Sequence, residues 1–159
     1  ALHFANIIWD YNIGEIMVHT ETSNETIKRV KSFAKRIGMV PVLLKKEQNG
    51  YILNSILAPM ISNGMALLVN GVADVEDIDK TMLVSGFSSG PFQMLDVIGL
   101  QTAYNVETYW GNRLNDQQKL RNAAYLKENY IDKGKLGIKT GAGFYNYPNP
   151  RYNDPDFLD

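Results

Sequence analysis

The chain has 159 residues, of which 45% are hydrophobic, and its 16 Lys and Arg residues nearly balance its 17 Asp and Glu residues. The net charge of −1 provides no basic surface for nucleic acid or anionic lipid, and the absence of cysteine excludes disulfides and thiolate zinc sites. No apolar run reaches the length of a membrane span and no signal-peptide pattern opens the chain, so we expect a cytoplasmic protein.

Residues 1–46 alternate between strand and helix patterns. The stretches ALHFAN, GEIMVHT and VPVLLKK favour strands, and a helical segment lies between the last two. Thr22 and Glu25 have the spacing of a capping box at the start of that helix, and Gly38 provides its end. The predicted order is strand, strand, helix, strand, which is typical of an α/β sheet.

Helical periodicity replaces the strand pattern after residue 50. The stretch from Gly50 to Gly71 is apolar nearly all round, which predicts a central buried helix with a kink at Pro59. Further helices are predicted from Asp74 to Gly86, from Pro91 to Gly99, over residues 100–114 and over residues 116–133. The predicted core of this helical part includes Ile52, Ile56, Leu67, Ile78, Met82, Leu95 and Leu100.

The C-terminal stretch after Gly134 is rich in Gly, Pro and aromatic residues, which is typical of an ordered loop that packs on helices. The fold class predicted for the whole chain is therefore mainly α, with a small α/β portion in front of a helical domain.

His3 and His19 are the only histidines, which is too few for a metal site, and we expect no metal. Glu15 and His19 are four residues apart on a predicted strand, a separation of about 13 Å that excludes a hydrogen bond and favours a surface position for His19. His3 and Glu15 differ, because two neighbouring strands would bring their side chains face to face. This pattern fits a carboxylate that orients a histidine base, and it also fits a buried histidine beside an unrelated surface glutamate.

Three other features are candidates for a binding role, and two of them have more than one interpretation. KTGAGFYNY has no third glycine, no preceding strand and no following helix, so it is not a dinucleotide fingerprint. SGFSSGPF fits either an anion-binding turn at a helix start or a plain connection between helices. Asn54 lies on the predicted buried helix, where its side chain needs a partner in the backbone or in a ligand.

Five motifs taken together carry a family resemblance. The first motif is LHFAN, with a glutamate twelve residues after its histidine. It is followed, in chain order, by GYILNSILAP, GVADVEDIDKTM, GPFQMLDVIGL and KTGAGFYNY. In that order and approximate spacing, the chain resembles the L-3-hydroxyacyl-CoA dehydrogenase family from residue 1 to about residue 147. The resemblance implies that the chain is the C-terminal half of such an enzyme. Residues 1–46 would be the end of its NAD-binding Rossmann domain. Residues 47–147 would be its helical dimerisation and substrate domain, and residues 148–159 a tail.

The resemblance also assigns roles to individual residues. His3 matches the catalytic base that takes the proton of the 3-hydroxyl group, and Glu15 matches the carboxylate that orients it. Asn54 matches the asparagine that contacts the reacting part of the substrate. Asn6 matches the asparagine of the histidine motif, which aligns the nicotinamide or the histidine–glutamate pair, and Lys139 falls where some members touch the cofactor.

The function that the resemblance implies is NAD-dependent interconversion of L-3-hydroxyacyl-CoA and 3-ketoacyl-CoA in fatty acid metabolism, by a cytoplasmic homodimer. Without a Gly-rich turn for the pyrophosphate, we expect these 159 residues to be inactive alone. Two alternatives remain open, namely an isolated helical dimerisation module and a relative that dehydrogenates a non-thioester substrate such as a sugar acid.

The chain departs from the family pattern at several positions. Ile7 replaces the proline that usually follows the histidine motif, EQNGY lacks the proline usual before its glycine, and SGFSSGP departs from the usual loop sequence. Ser55 replaces a common arginine beside Asn54. The last difference bears on which acyl chain the protein accepts.

Overall fold

A computed structural model describes all 159 residues of the chain, which divide into two compact units, Ala1–Ala58 and Pro59–Asp159. The mainly helical class with a small sheet at the start is confirmed. None of the helices combines the length and the apolar character that a membrane crossing requires. The predicted domain boundaries after residues 46 and 147 stay predictions.

The first unit is a three-stranded sheet with one crossover helix and the start of a second helix. Its elements are β1 (Leu2–Phe4), β2 (Ile13–Ile16), α1 (Asn24–Arg36), β3 (Val40–Leu43) and the beginning of α2 (Leu53–Val69). β2 lies in the middle, antiparallel to β1 and parallel to β3, as the predicted order requires. Because β2 has a neighbour on each side, its residues Gly14, Glu15 and Ile16 are buried.

The start of α1 lies one residue later than the sequence predicts. Ser23, in an extended conformation, accepts a hydrogen bond from the backbone N–H of Thr26 at 3.2 Å and is the N-cap. Thr22, the predicted cap, instead accepts from the backbone N–H of His19 at 3.0 Å. The predicted capping residue was therefore wrong, because two adjacent hydroxyl residues offer the same chemistry and the turn before the helix uses the first one.

The second unit contains the rest of α2 and four further helices. These are α3 (Val75–Val84), α4 (Pro91–Ile98), α5 (Leu100–Leu114) and α6 (Gln117–Asn129), followed by three single-turn 3-10 helices at Ile131–Lys133, Ile138–Thr140 and Arg151–Asn153. Pro91 occupies the first turn of α4, and Gly99, with φ of 96°, ends it. Pro59 lies inside α2, where it has no backbone N–H to donate.

The predicted core is only partly correct. Ile78, Leu95 and Leu100 are buried, and Met82 is half-buried. Ile52, Ile56 and Leu67 are 43%, 64% and 43% exposed, so their prediction as core residues was wrong. A helix that is apolar all round gives no signal of which side faces the protein, and one side of α2 is left uncovered within this chain.

A buried polar cluster ties α2, α5 and α6 together inside the second unit. The ammonium group of Lys119 donates to the Ser62 hydroxyl at 2.7 Å and lies 3.7 Å from the Glu107 carboxylate. The amide of Asn122 donates to the Ser62 carbonyl at 3.1 Å and to Glu107 at 3.3 Å. The buried glutamate thus has one hydrogen-bond donor, Asn122, and one nearby positive charge, Lys119, which together offset the cost of removing it from water.

Two buried aspartates hold the remaining connections in place. Asp79 accepts from the backbone N–H groups of Phe92 and Gln93 at 2.9 and 3.1 Å, and so binds the start of α4. It also accepts from the Tyr145 hydroxyl at 2.8 Å. A Cβ on Gly90 would overlap the carboxylate of Asp79, so glycine is required there.

Asp96 plays the same part for the C-terminal loop. It accepts from the backbone N–H groups of Phe144 and Tyr145, both at 2.9 Å, and from the Tyr147 hydroxyl at 2.9 Å. A Cβ on Gly143 would overlap its carboxylate. The stretch KTGAGFYNY is therefore a structural loop anchored on α4, and with Phe157 also buried, the predicted ordered tail is confirmed.

We predict that the cost of Asp79→Asn depends on pH. Burial raises the pKa of Asp79 to about 6, although its three hydrogen-bond donors act in the opposite direction. The folded state therefore binds a proton more tightly than the unfolded state, and as pH falls from 7.5 to 5 the wild type gains about 1 kcal/mol of stability that the uncharged amide of the variant cannot gain. Urea unfolding should show a larger loss of stability in the variant at pH 5 than at pH 7.5. An equal loss at both values would contradict the raised pKa.

Candidate functional site

The side chains of His3 and Glu15 meet across the β1–β2 pair. The two residues are direct cross-strand partners, and the His3 Nδ1 atom lies 3.0 Å from the Glu15 Oε2 atom. The glutamate side chain is fully buried, whereas the histidine side chain is 24% exposed. The neighbouring strands that the sequence predicts are thus present, and of the two open interpretations, the facing pair is the one the structure contains.

This contact decides how the imidazole is protonated. A carboxylate can only accept hydrogen bonds, so Nδ1 of His3 carries the proton and donates it to Glu15. In the neutral ring, Nε2 then has a free lone pair, and the partly exposed side chain leaves it able to meet a ligand. The arrangement can take up a proton at Nε2 and stabilise the resulting imidazolium by charge.

The second oxygen of Glu15 binds the start of α2. Its Oε1 atom accepts from the backbone N–H of Ile52 at 2.9 Å and of Leu53 at 3.0 Å. The first N–H groups of a helix have no partner inside the helix, and the helix dipole favours a negative charge at this end. A residue on β2 therefore does the work of an N-cap for a helix that begins 38 residues later in the chain.

Tyr51 lies against the face of the histidine ring. The two ring centroids are 4.3 Å apart and the ring planes differ by 8°, so the rings are stacked. Tyr51 has a φ of 54°, in the left-handed region, although it is not glycine. The residue before it, Gly50, has a φ of 81°, so two consecutive left-handed residues turn the chain into α2.

Asn6 follows His3 by three residues and Asn54 follows Tyr51 by three residues, and neither side chain makes a hydrogen bond. Asn54 is in the first turn of α2, one residue beyond Leu53, and is exposed. Its expected burial was wrong, because this side of the first turn of α2 is not covered by the chain. Asn6 lies exposed in the bend that follows β1.

The remaining candidate residues lie elsewhere. Lys139 belongs to the second unit, where it is exposed in a 3-10 helix. His19 is exposed, as expected. No three His, Cys, Asp or Glu side chains come together in a way that could hold a metal ion.

The turn SGFSSGPF is a plain helix connection in this structure. The backbone N–H groups of Phe92 and Gln93, which an anion-binding turn would offer to a ligand, are both used by Asp79. Of the two interpretations, the plain connection between helices therefore holds, because Asp79 already occupies these two amides.

Sequence reasoning missed Tyr51 and the second role of Glu15. A tyrosine after a glycine carries no signal of stacking on a residue 48 positions earlier. The stretch NGYIL does show one hint, since a helix that starts with no Ser, Thr, Asp or Asn at its N-cap needs an acceptor from elsewhere.

We predict that Glu15→Ala destabilises the first unit by about 2–4 kcal/mol, because two backbone N–H groups and the imidazole lose a buried acceptor. Glu15→Gln should cost less, since its amide oxygen still accepts. Glu47→Ala, which removes an exposed carboxylate that has no hydrogen-bond partner, is the matched control. Urea unfolding would contradict the helix-capping role if Glu15→Ala and Glu47→Ala were equally stable.

Comparison with protein families identifies both parts of the chain. Residues 50–147 match the family described as 3-hydroxyacyl-CoA dehydrogenase, C-terminal domain, and residues 1–48 match 3-hydroxyacyl-CoA dehydrogenase, NAD binding domain. Human mitochondrial hydroxyacyl-coenzyme A dehydrogenase is 33% identical over 148 residues, which is 92% of this chain and 46% of the relative. A probable 3-hydroxyacyl-CoA dehydrogenase of Caenorhabditis elegans is likewise 33% identical, over 92% of this chain and 47% of its own length.

Solved structures also match nearly the whole chain. A diketoreductase, described as a dual catalyst of dicarbonyl compounds, is 50% identical with a TM-score of 0.83, over 92% of this chain and 50% of its own. The (S)-3-hydroxybutyryl-CoA dehydrogenase of Ralstonia eutropha is 32% identical with a TM-score of 0.76, over 93% of this chain and 52% of its own. The chain thus spans about half the length of the relatives it matches.

Proposed function

The chain belongs to the 3-hydroxyacyl-CoA dehydrogenase family, and on this premise we propose that it forms the C-terminal half of an NAD-dependent oxidoreductase. The proposed reaction interconverts the 3-hydroxyl group of an L-3-hydroxyacyl-CoA with the ketone of a 3-ketoacyl-CoA. The single observation that carries the proposal is the His3–Glu15 hydrogen bond, in a stretch that matches this family and with Nε2 of the histidine left free.

His3 is the proposed base. Its Nε2 atom takes the proton of the substrate hydroxyl as the carbonyl forms, and it returns a proton to the oxygen in the reverse direction. Glu15 holds Nδ1–H and offsets the positive charge that develops on the ring. Because the carboxylate is buried and already bound by two backbone N–H groups, it needs no rearrangement when that charge appears.

NAD is the proposed cofactor, and when bound it supplies the hydride acceptor for the carbon that loses hydrogen. The residues present fit the nicotinamide, which is the reacting end of NAD. The exposed side of the His3 ring lies on β1, and the unpaired amide of Asn6 lies just after it. They do not form a pyrophosphate site, because the sequence has no G-x-G-x-x-G turn and the start of α1 is capped by Ser23. We therefore propose that the dinucleotide needs residues beyond these 159, and that the chain alone does not turn over substrate. Lys139 stays a proposed cofactor contact.

A second candidate substrate is a dicarbonyl compound that is not a thioester. It is favoured by the 50% identity with the diketoreductase, which is higher than the 33% identity with the human hydroxyacyl-coenzyme A dehydrogenase. Ser55, beside Asn54, also turns its hydroxyl back to the carbonyl of Tyr51 and carries no charge. The proton chemistry at His3 is the same for both substrates, so the difference lies in what surrounds the reacting carbon. A sugar acid belongs to this same non-thioester class.

Pairing into a homodimer is the proposed assembly. Each unit exposes apolar side chains that support it. Ile52 and Ile56 in the first unit are 43% and 64% exposed, and Leu67, on the part of α2 in the second unit, is 43% exposed. Exposed apolar side chains of this kind favour association. A chain that serves only as a helical dimerisation module is the alternative, and it would keep the pairing without the reaction.

A cytoplasmic location and a place in fatty acid metabolism also stay proposals.

We predict that the full-length protein containing this chain sediments as a dimer at micromolar concentration. Leu67→Asp should shift it towards monomer, because an ionised carboxylate at this exposed apolar position must stay in water. Leu158→Asp, at a leucine 56% exposed outside α2, should leave the dimer intact. A wild-type monomer would refute the assembly.

We predict that His3→Ala in the full-length protein lowers the rate of hydroxyl oxidation by roughly two to four orders of magnitude, the usual contribution of a positioned base. Binding of NAD should barely change. Glu15→Gln should also lower the rate and move the acidic limb of the pH–rate profile to lower pH, because the imidazolium loses its counter-charge. The double variant should lose far less than the product of the two single losses, since the pair acts as a unit. Multiplicative losses would show that the residues work independently.

The same preparation decides the substrate class. Initial rates are compared for a 3-hydroxyacyl-CoA oxidised with NAD and a non-thioester dicarbonyl reduced with NADH. A higher kcat/KM for the thioester supports the first proposal, and a higher value for the dicarbonyl supports the second. If the protein is a dimer but turns over neither substrate, the result supports the alternative that the chain serves only as a dimerisation module.

A further inference from the structure

We propose that Tyr51 is a positioning residue for His3, which holds the imidazole plane and stabilises its charged form. The proposal deepens the function given above, because it rests on His3 as the base. It starts from the stacked geometry of the two rings, 4.3 Å between centroids with planes 8° apart.

The hydrogen bond to Glu15 alone does not fix the histidine ring. A single contact at Nδ1 fixes one atom, and the ring can still tilt about that atom. A parallel ring on its face removes the tilt, because any rotation out of the common plane breaks the stack. Glu15 and Tyr51 together therefore determine both the tautomer of His3 and the direction in which Nε2 points.

The stack also responds to charge. The face of an aromatic ring is electron-rich, so it attracts an imidazolium more strongly than a neutral imidazole. His3 becomes positively charged as it takes the proton from the hydroxyl group. Tyr51 therefore stabilises the state that forms during reaction more than the resting state, and only such a difference lowers the barrier.

The backbone around Tyr51 maintains this position at a cost. A φ of 54° is unusual for a residue with a side chain, and it is preceded by Gly50 at 81°. The Tyr51 N–H donates to the Gln48 carbonyl at 3.1 Å, and its carbonyl accepts from the hydroxyl of Ser55. The next two N–H groups bind Glu15, so the acid that orients His3 also places the ring that covers it.

Three variants of the full-length protein separate the ring from the backbone. Tyr51→Phe keeps the stack, Tyr51→Leu removes the aromatic face, and Tyr51→Gly removes the side chain at a residue type that accepts positive φ without strain. Tyr51→Gly therefore remains informative if Tyr51→Leu fails to fold. Tyr109→Leu, at a tyrosine 55% exposed on α5, is the matched control.

We expect kcat to fall about tenfold to a hundredfold in Tyr51→Leu and Tyr51→Gly, with KM and NAD affinity little changed, and to stay within about twofold in Tyr51→Phe and Tyr109→Leu. The acidic limb of the pH–rate profile should move to lower pH in the two variants without a ring, which a merely structural role would not cause. Wild-type kcat and an unmoved pH profile in both would overturn the proposal.

A second measurement does not depend on activity. Long-range proton–nitrogen NMR spectra report the tautomer of each histidine ring, and a stacked ring shifts the His3 proton signals upfield, with exposed His19 as the internal reference. We expect the shift in the wild type and Tyr51→Phe, and its loss in Tyr51→Gly. If the protein turns over no substrate but the shift behaves in this way, the proposed reaction fails and the positioning role of Tyr51 stands. Absence of the shift in the wild type would overturn the role of Tyr51 itself.

Discussion

The first unit depends on one buried carboxylate with two separate duties. Glu15 lies on the central strand, and it binds the imidazole of His3 with one oxygen and the first N–H groups of α2 with the other. A neutral side chain of the same size could not meet both duties, since an amide would turn a donor towards one of the partners. The strand pairing, the histidine tautomer and the starting point of α2 therefore depend on each other.

The second unit repeats this principle without a histidine. Asp79 and Asp96 are buried carboxylates whose acceptors are filled by backbone N–H groups and tyrosine hydroxyls. Each lies against a glycine whose missing Cβ makes room for it. The difference from Glu15 is that no titratable ring with a free nitrogen is attached to either aspartate, so their hydrogen bonds serve only to hold loops.

Patterns with a single physical cause could be predicted from the sequence. Residue periodicity predicts the order of the strands. Backbone preference predicts the start of α4 at Pro91 and its end at Gly99. Strand pairing predicts that His3 and Glu15 face each other. Predictions failed where two arrangements offered the same local chemistry, as with Thr22 and Ser23, or where burial depends on what covers a helix, as with Ile56 and Asn54. The stack of Tyr51 on His3 could not be predicted, because it joins residues far apart in the chain through an unusual backbone angle.

The double duty of Glu15 also constrains how descendants of such a protein can lose their chemistry. Replacing His3 removes a half-buried ring at the start of the chain, and the fold keeps every backbone partner of the acid. Replacing Glu15 takes the hydrogen-bond acceptor away from both His3 and the start of α2 in one step. If a lineage gives up the proposed proton transfer and keeps the fold, the histidine is therefore free to change while the glutamate is retained. A buried acid without its imidazole would mark a relative that has kept the fold alone.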